Sequence, residues 1–161
     1  MVSANRGKTF RMIALIAVIF VLFLNILTHF VSIVRYNGDG MEPSIHDGQV
    51  LILSKTNNVN QGDIIAFYYN NKILVRRAIC MGGDEIAMDQ AGNVYIESDL
   101  LDEPYLDTPS IGQCNLTFPY RVPENHIFVM GDHRAIAMDS RLKEIGTVPA
   151  DRIIGKVLFT I

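Results

Sequence analysis

With 161 residues the chain has room for one domain of ordinary size. Its formal net charge is -3, from 14 Lys and Arg against 17 Asp and Glu, which excludes the basic footprint that nucleic-acid binding requires. Its 2 cysteines, Cys80 and Cys114, have no CxxC spacing and no nearby His pair, which excludes a zinc site; neither metal nor cofactor is expected.

The first element is apolar. From Met12 to Val34 the chain reads MIALIAVIFVLFLNILTHFVSIV without an Asp, Glu, Lys or Arg, and a bilayer-spanning helix needs about 20 such residues. A cleaved secretory signal has a shorter apolar core ending in small residues, whereas Phe, Ile and Val dominate the end of this run. A buried helix, apolar on every face, would need a larger protein around it. Arg6, Lys8 and Arg11 precede the run and only Arg35 follows it closely, ahead of Asp39, Glu42 and Asp47. Excess Lys and Arg stay in the cytoplasm. The expected organisation is therefore a cytoplasmic N-terminus at 1–11, a membrane anchor at 12–35 in contact with the lipid bilayer, and an extracytoplasmic domain at 36–161.

That domain reads as mainly β. VLILSK at 50–55, DIIAFYY at 63–69, KILVRRAICM at 72–81, NVYIES at 93–98, HIFVMGD at 126–132 and RIIGKVLFTI at 152–161 are β-branched or aromatic runs bounded by Gly, Asn, Asp and Pro. Asn70-Asn71, Gly82-Gly83-Asp84 and Ala91-Gly92-Asn93 carry the chemistry of tight turns, so a small antiparallel sheet or barrel, folded on itself through hairpins, is expected. Residues 99–121, with Pro104, Pro109 and Pro119, read as a loop excursion. Cys80 sits in an apolar segment, where a buried free thiol and a bridge to Cys114 are both compatible with an oxidising compartment.

Four segments carry a pattern in order. They are Gly38-Asp39-Gly40-Met41-Glu42-Pro43-Ser44-Ile45, then Gln61-Gly62-Asp63-Ile64-Ile65-Ala66-Phe67, then Val75-Arg76-Arg77-Ala78-Ile79-Cys80-Met81-Gly82-Gly83-Asp84, and last Gly131-Asp132-His133-Arg134-Ala135-Ile136-Ala137-Met138-Asp139-Ser140-Arg141. Together they resemble the boxes of the bacterial type I signal peptidases, Gram-positive type: a serine followed by Met-x-Pro-Ser/Thr, then GDIVVF, VKRVIGLPGD and GDNRxxSxDSR. With the anchor, the resemblance spans nearly the whole chain.

The departures concern the chemistry. The resemblance implies a serine nucleophile where this chain has Gly40, a lysine general base where it has Arg76, and a base-orienting serine where it has Ala137. Glycine has no atom that can attack a carbonyl. A guanidinium keeps its proton to a pKa of about 12.5 or above, so Arg76 cannot accept one. Ser44, Asp39, Asp132, His126 and His133 are the remaining groups of reactive type, but residue types alone do not make a triad.

The retained residues read structurally. Asp139 and Arg141 are expected to pair, with Ser140 and Asp132 holding the same loop, and Gly131-Asp132 reads as a turn leaving a strand. The resemblance places an extended peptide between Tyr36–Asp39 and Ile73, Leu74 and Val75. Gly38 reads either as a close approach to that peptide or as a β-bulge. Met41 and Ile45 read as core by residue type and as pocket wall by resemblance. The expected function is binding of an extended segment of an exported protein without cleavage, with a pilin as the specific partner that pilus-associated relatives suggest. The alternatives are an active signal peptidase that cleaves secreted precursors, and a structural subunit that uses its sheet edge for another membrane protein.

Overall fold

In the computed structural model, which describes residues 3–56 and 58–161, the apolar run opens as a helix, α1 (Ser3–Phe30). Its segment Phe10–Phe30 is long and apolar enough to cross a membrane, and side chains such as Met12, Ile16, Phe20 and Phe23 are all exposed. Of the segment expected at 1–11, residues 1 and 2 lie outside the described residues, and from Ser3 onward it is helical. The anchor expected over 12–35 is corrected at its far end. The helix stops at Phe30, and Val31–Arg35 form strand β1.

Two causes produce that break. Val31, Ile33 and Val34 are β-branched, which disfavours helix and suits a pleated surface. The helix end is also capped from afar: Lys55 donates its backbone N–H to the carbonyl of Phe30 at 2.9 Å and its Nζ to the carbonyl of Thr28 at 2.8 Å. These are carbonyls that a helix C-terminus leaves without internal partners.

The domain continues through β2 (Val50–Ser54), β3 (Ile64–Tyr69), β4 (Lys72–Met81), β5 (Glu85–Met88), β6 (Val94–Ile96), β7 (Asp99–Leu100), β8 (Tyr120–Arg121), β9 (His126–Met130), β10 (Val148–Pro149) and β11 (Ile153–Thr160). All pairings are antiparallel. A seven-stranded sheet runs in the order β1-β2-β11-β3-β4-β9-β10, and a four-stranded sheet in the order β7-β6-β5-β8. The expected antiparallel, mainly β domain is thus present as two sheets, with β11 lying between β2 and β3.

The expected turns are present. Asn70 and Asn71 both have positive φ, 44° and 61°, in a two-residue loop that pairs Tyr69 with Lys72, the geometry whose twist matches a hairpin. Strand β5, with one β-branched residue, lies outside the runs read from the sequence. Between Leu100 and Tyr120 the excursion contains no strand. Three apolar clusters fill the domain: one includes Tyr36, Met41, Ile45 and Val75, a second Ile65, Phe67 and Val129, a third Ile79, Cys80 and Phe128. Strands β3 and β4 are buried on both faces, which explains why they read as continuous apolar runs rather than alternating ones. Cys80 is buried in the third cluster, and both it and Cys114 are free thiols.

One topological detail positions the site. Strand β4 pairs with β3 along Lys72–Arg77 but with β9 only from Arg77 onward, after which a register shift follows between Ala78 and Cys80. The second edge of Lys72–Val75 is therefore unpaired. Strand β1, at the end of the large sheet, has a free edge of its own.

Candidate functional site

Those two free edges face a common groove. Its outer part, about 690 Å³, is lined by Ile33–Asn37 and Lys72–Val75. It continues into an inner part of about 340 Å³, where Gly38, Asp39, Gly40, Arg76, Ile136, Ala137 and Met138 join the lining. A neighbouring cavity of about 430 Å³, bounded by Glu42, Asp107, Ser110 and His133, includes neither Gly40 nor Arg76.

Gly40, Arg76 and Ala137 converge at the inner end. A side-chain carbon built on Gly40 would lie 3.2 Å from Arg76 Nη2 and 3.4 Å from Nη1 and Cζ, so the guanidinium covers the space that a residue at 40 would use. Arg76 is 7% exposed. It donates from Nε to the carbonyl of Met138 at 2.9 Å and from Nη1 to its own neighbour's carbonyl, Val75, at 2.6 Å. Burial pulls its pKa down while the field of Asp139 opposes the shift, and a guanidinium remains a cation throughout. The Tyr36 phenol is pushed up from its usual value, chiefly by burial. Its oxygen accepts the Met41 N–H at 3.1 Å.

The loop after β9 brings Ala137 into place. Gly131 is the hinge of this packing, because a side chain there would overlap both the Ala137 methyl and the Gly40 carbonyl oxygen. The His133 N–H donates to the Gly40 carbonyl at 3.1 Å and so ties the loop to the Gly40 segment. Asp139 and Arg141 pair as expected, at 2.7 Å and fully buried. Arg141 also donates to the carbonyls of Ser110, Ile111, Arg134 and Ala137. The Ser140 hydroxyl accepts the Val129 N–H at 2.9 Å. Asp132 takes two bonds from Arg77, at 2.9 and 2.5 Å.

Of the expected peptide-flanking residues, Tyr36, Gly38, Asp39, Ile73, Leu74 and Val75 line the groove. Met41 and Ile45 do not. They are 0% and 1% exposed inside the first core cluster, so their apolar character prevails over the pocket-wall reading. Gly38 has φ of +121° with no atom within 4 Å of an added side chain. That torsion alone calls for glycine.

Asn37, within the expected segment Tyr36–Asp39, is also in the lining, whereas sequence reading missed Tyr69, Lys72, Ile136, Met138 and Ile145 there. Ile136 and Met138, 47% and 52% exposed, lie inside the fourth matched segment and flank Ala137, and that position was their only signal. It also missed the Arg134–Glu103 pair, which anchors the 99–121 excursion beside the site. Residues 31 apart in loops leave no periodic trace.

Among the described residues the groove lining contains no Ser, Thr or Cys. The Ser44 hydroxyl accepts a bond from Arg77 Nη2 at 3.1 Å and has a guanidinium, not a proton acceptor, beside it.

These features define a β protein led by an apolar helix, with a long groove between two unpaired strand edges. The family model described as signal peptidase, peptidase S26, matches residues 9–161. Signal peptidase I of Bacillus caldolyticus is 32% identical over 96% of this chain and 90% of its own length. Signal peptidase I T of Bacillus subtilis is 33% identical over 88% of this chain and 80% of its own. The crystal structure of a signal peptidase I from Enterococcus faecalis superposes with a TM-score of 0.53 at 28% identity, covering 63% of this chain and 97% of that one. The chain belongs to the signal peptidase S26 family.

Proposed function

We propose that this family member is anchored in the membrane by α1, with its β domain outside the cell membrane, and that it binds extended segments of exported proteins without cleaving them. The observation that carries the reading is the pairing of Gly40 with Arg76 at the inner end of the groove. Acyl transfer needs an attacking atom and a group that takes its proton. A glycine and a permanent cation supply neither, and Ala137 has no hydroxyl with which to orient an amine. The free edges of β1 and of Lys72–Val75 supply what binding needs, main-chain donors and acceptors in an extended row. The N-terminal cluster of Arg6, Lys8 and Arg11 supports a cytoplasmic N-terminus. Among exported proteins a pilin is the specific partner, on family resemblance alone.

The test uses the purified full chain with a fluorogenic signal-peptide substrate, alongside an active relative. No cleavage is expected, while a photoreactive group at Tyr36 or Val75 crosslinks exported precursor in cells. Cleavage that Ser44→Ala abolishes would establish an active peptidase with another nucleophile. Capture of a membrane protein alone at the groove would establish a scaffold instead.

A further inference from the structure

We infer that Arg76, where it lines the inner end of the groove beside Gly40, forms a subsite for a carboxylate, carried either by the C-terminus of a peptide in the groove or by an Asp or Glu side chain along it. This rests on the peptide-binding reading above. Arg134 and Arg141, which are 1% and 0% exposed, each have a carboxylate: Glu103 at 2.5 Å and Asp139 at 2.7 Å. Arg76 is almost as deeply buried, yet among the described residues it forms no ion pair. Nε and Nη1 donate to backbone carbonyls and the guanidinium also meets the Tyr36 phenol, uncharged partners that orient it without neutralising it.

The nearest carboxylate whose field it feels is already committed. Asp139 accepts from Arg141 Nε and Nη2 and from the backbone N–H groups of Gly131 and Arg141. A cation taken from water without a counter-ion is costly, and an incoming carboxylate supplies the missing charge. Nη2 lies against Gly40, 3.2 Å from where a side-chain carbon would be, so the glycine lets the guanidinium pack at the inner end of the groove, where Arg76 is part of the lining. The lining is also biased toward anions, since Lys72 and Arg76 stand against Asp39 alone. Arg rather than Lys suits this role, because a planar fork of five N–H donors, held by two carbonyls and a phenol, has donors left for a carboxylate.

Short fluorescent Val/Thr peptides, bound to the full chain in detergent and read by anisotropy, test it. Three forms are compared: a free C-terminal carboxylate, its C-terminal amide, and the amide with one Asp scanned along the peptide. The wild type is expected to bind one carboxylate-bearing form about tenfold or more tighter than the plain amide, as expected for a hydrogen bond to a charged group. Which form gains separates the two sources. Arg76→Gln removes the preference, Arg76→Lys retains part of it, and Lys143→Gln, exposed and outside the groove lining, leaves it intact. Equal wild-type affinity for all three forms overturns the subsite while leaving peptide binding standing, as does a preference that Arg76→Gln retains. If no form binds, the peptide-binding reading falls and the subsite with it. Should Arg76→Gln fail to fold, the wild-type comparison and Arg76→Lys decide.

Discussion

At Gly131 the backbone is ordinary and the constraint is space. A methyl added there meets the Ala137 methyl and the Gly40 carbonyl oxygen, and both residues line the inner groove. Gly131→Ala is expected to lower stability by about 1–3 kcal/mol, the usual cost of overpacking. Urea unfolding of the two proteins measures it; an unchanged midpoint would show that the loop yields freely. No property of residue 131 in the sequence announces this, because the two neighbours come from positions 40 and 137. The Asp139–Arg141 pair was legible, since both partners lie in one short segment. Met41 and Ile45 were legible only as alternatives: an apolar side chain in a loop suits a core and a pocket wall equally until the surrounding atoms are known.

Between elements, what matters is which edges remain unpaired. Alternate amides of an antiparallel edge strand point away from the sheet. Alternate amides in Val31–Arg35 and Lys72–Val75 are therefore expected to exchange hydrogen rapidly in the free protein and to become protected when an extended peptide is added. Amides of β3, paired on both sides by β11 and β4, stay slow throughout. Hydrogen exchange with mass spectrometry checks this, and protection confined to loops would count against strand addition. Runs such as 50–55 and 72–81 were legible because β-branched residues bounded by turn residues have few other uses. Val31–Arg35 was not, because a continuous apolar run has the same signature in a helix and in a buried strand. The β-branched residues alone do not fix where the helix ends; the cap from Lys55 arrives only after the chain has folded back.

For the molecule as a whole, the two thiols report on burial and orientation. Cys80 is fully buried, and burial, followed by Asp84 and Glu97, pushes its pKa up from 9.0 to about 12. The raised value means that its contribution to stability is complete below pH 9.0 and is lost as pH rises toward 12. At neutral pH there is almost no thiolate to react. Cys114 is half-exposed on the excursion. A membrane-impermeant maleimide applied to intact cells is therefore expected to label Cys114, and Cys80 only after denaturation. Labelling of Cys114 that requires permeabilised cells would invert the proposed orientation. The sequence by itself determined the apolar helix, the β-rich domain after it and the residue types at positions 40, 76 and 137, because hydropathy, β-branching and side-chain chemistry are local properties. Tertiary structure alone decided that Gly40 and Arg76 face each other, that Arg76 is buried without a carboxylate, and that two strand edges are left open along one groove. Each of these depends on segments far apart in the chain, and proximity between such segments is created by packing.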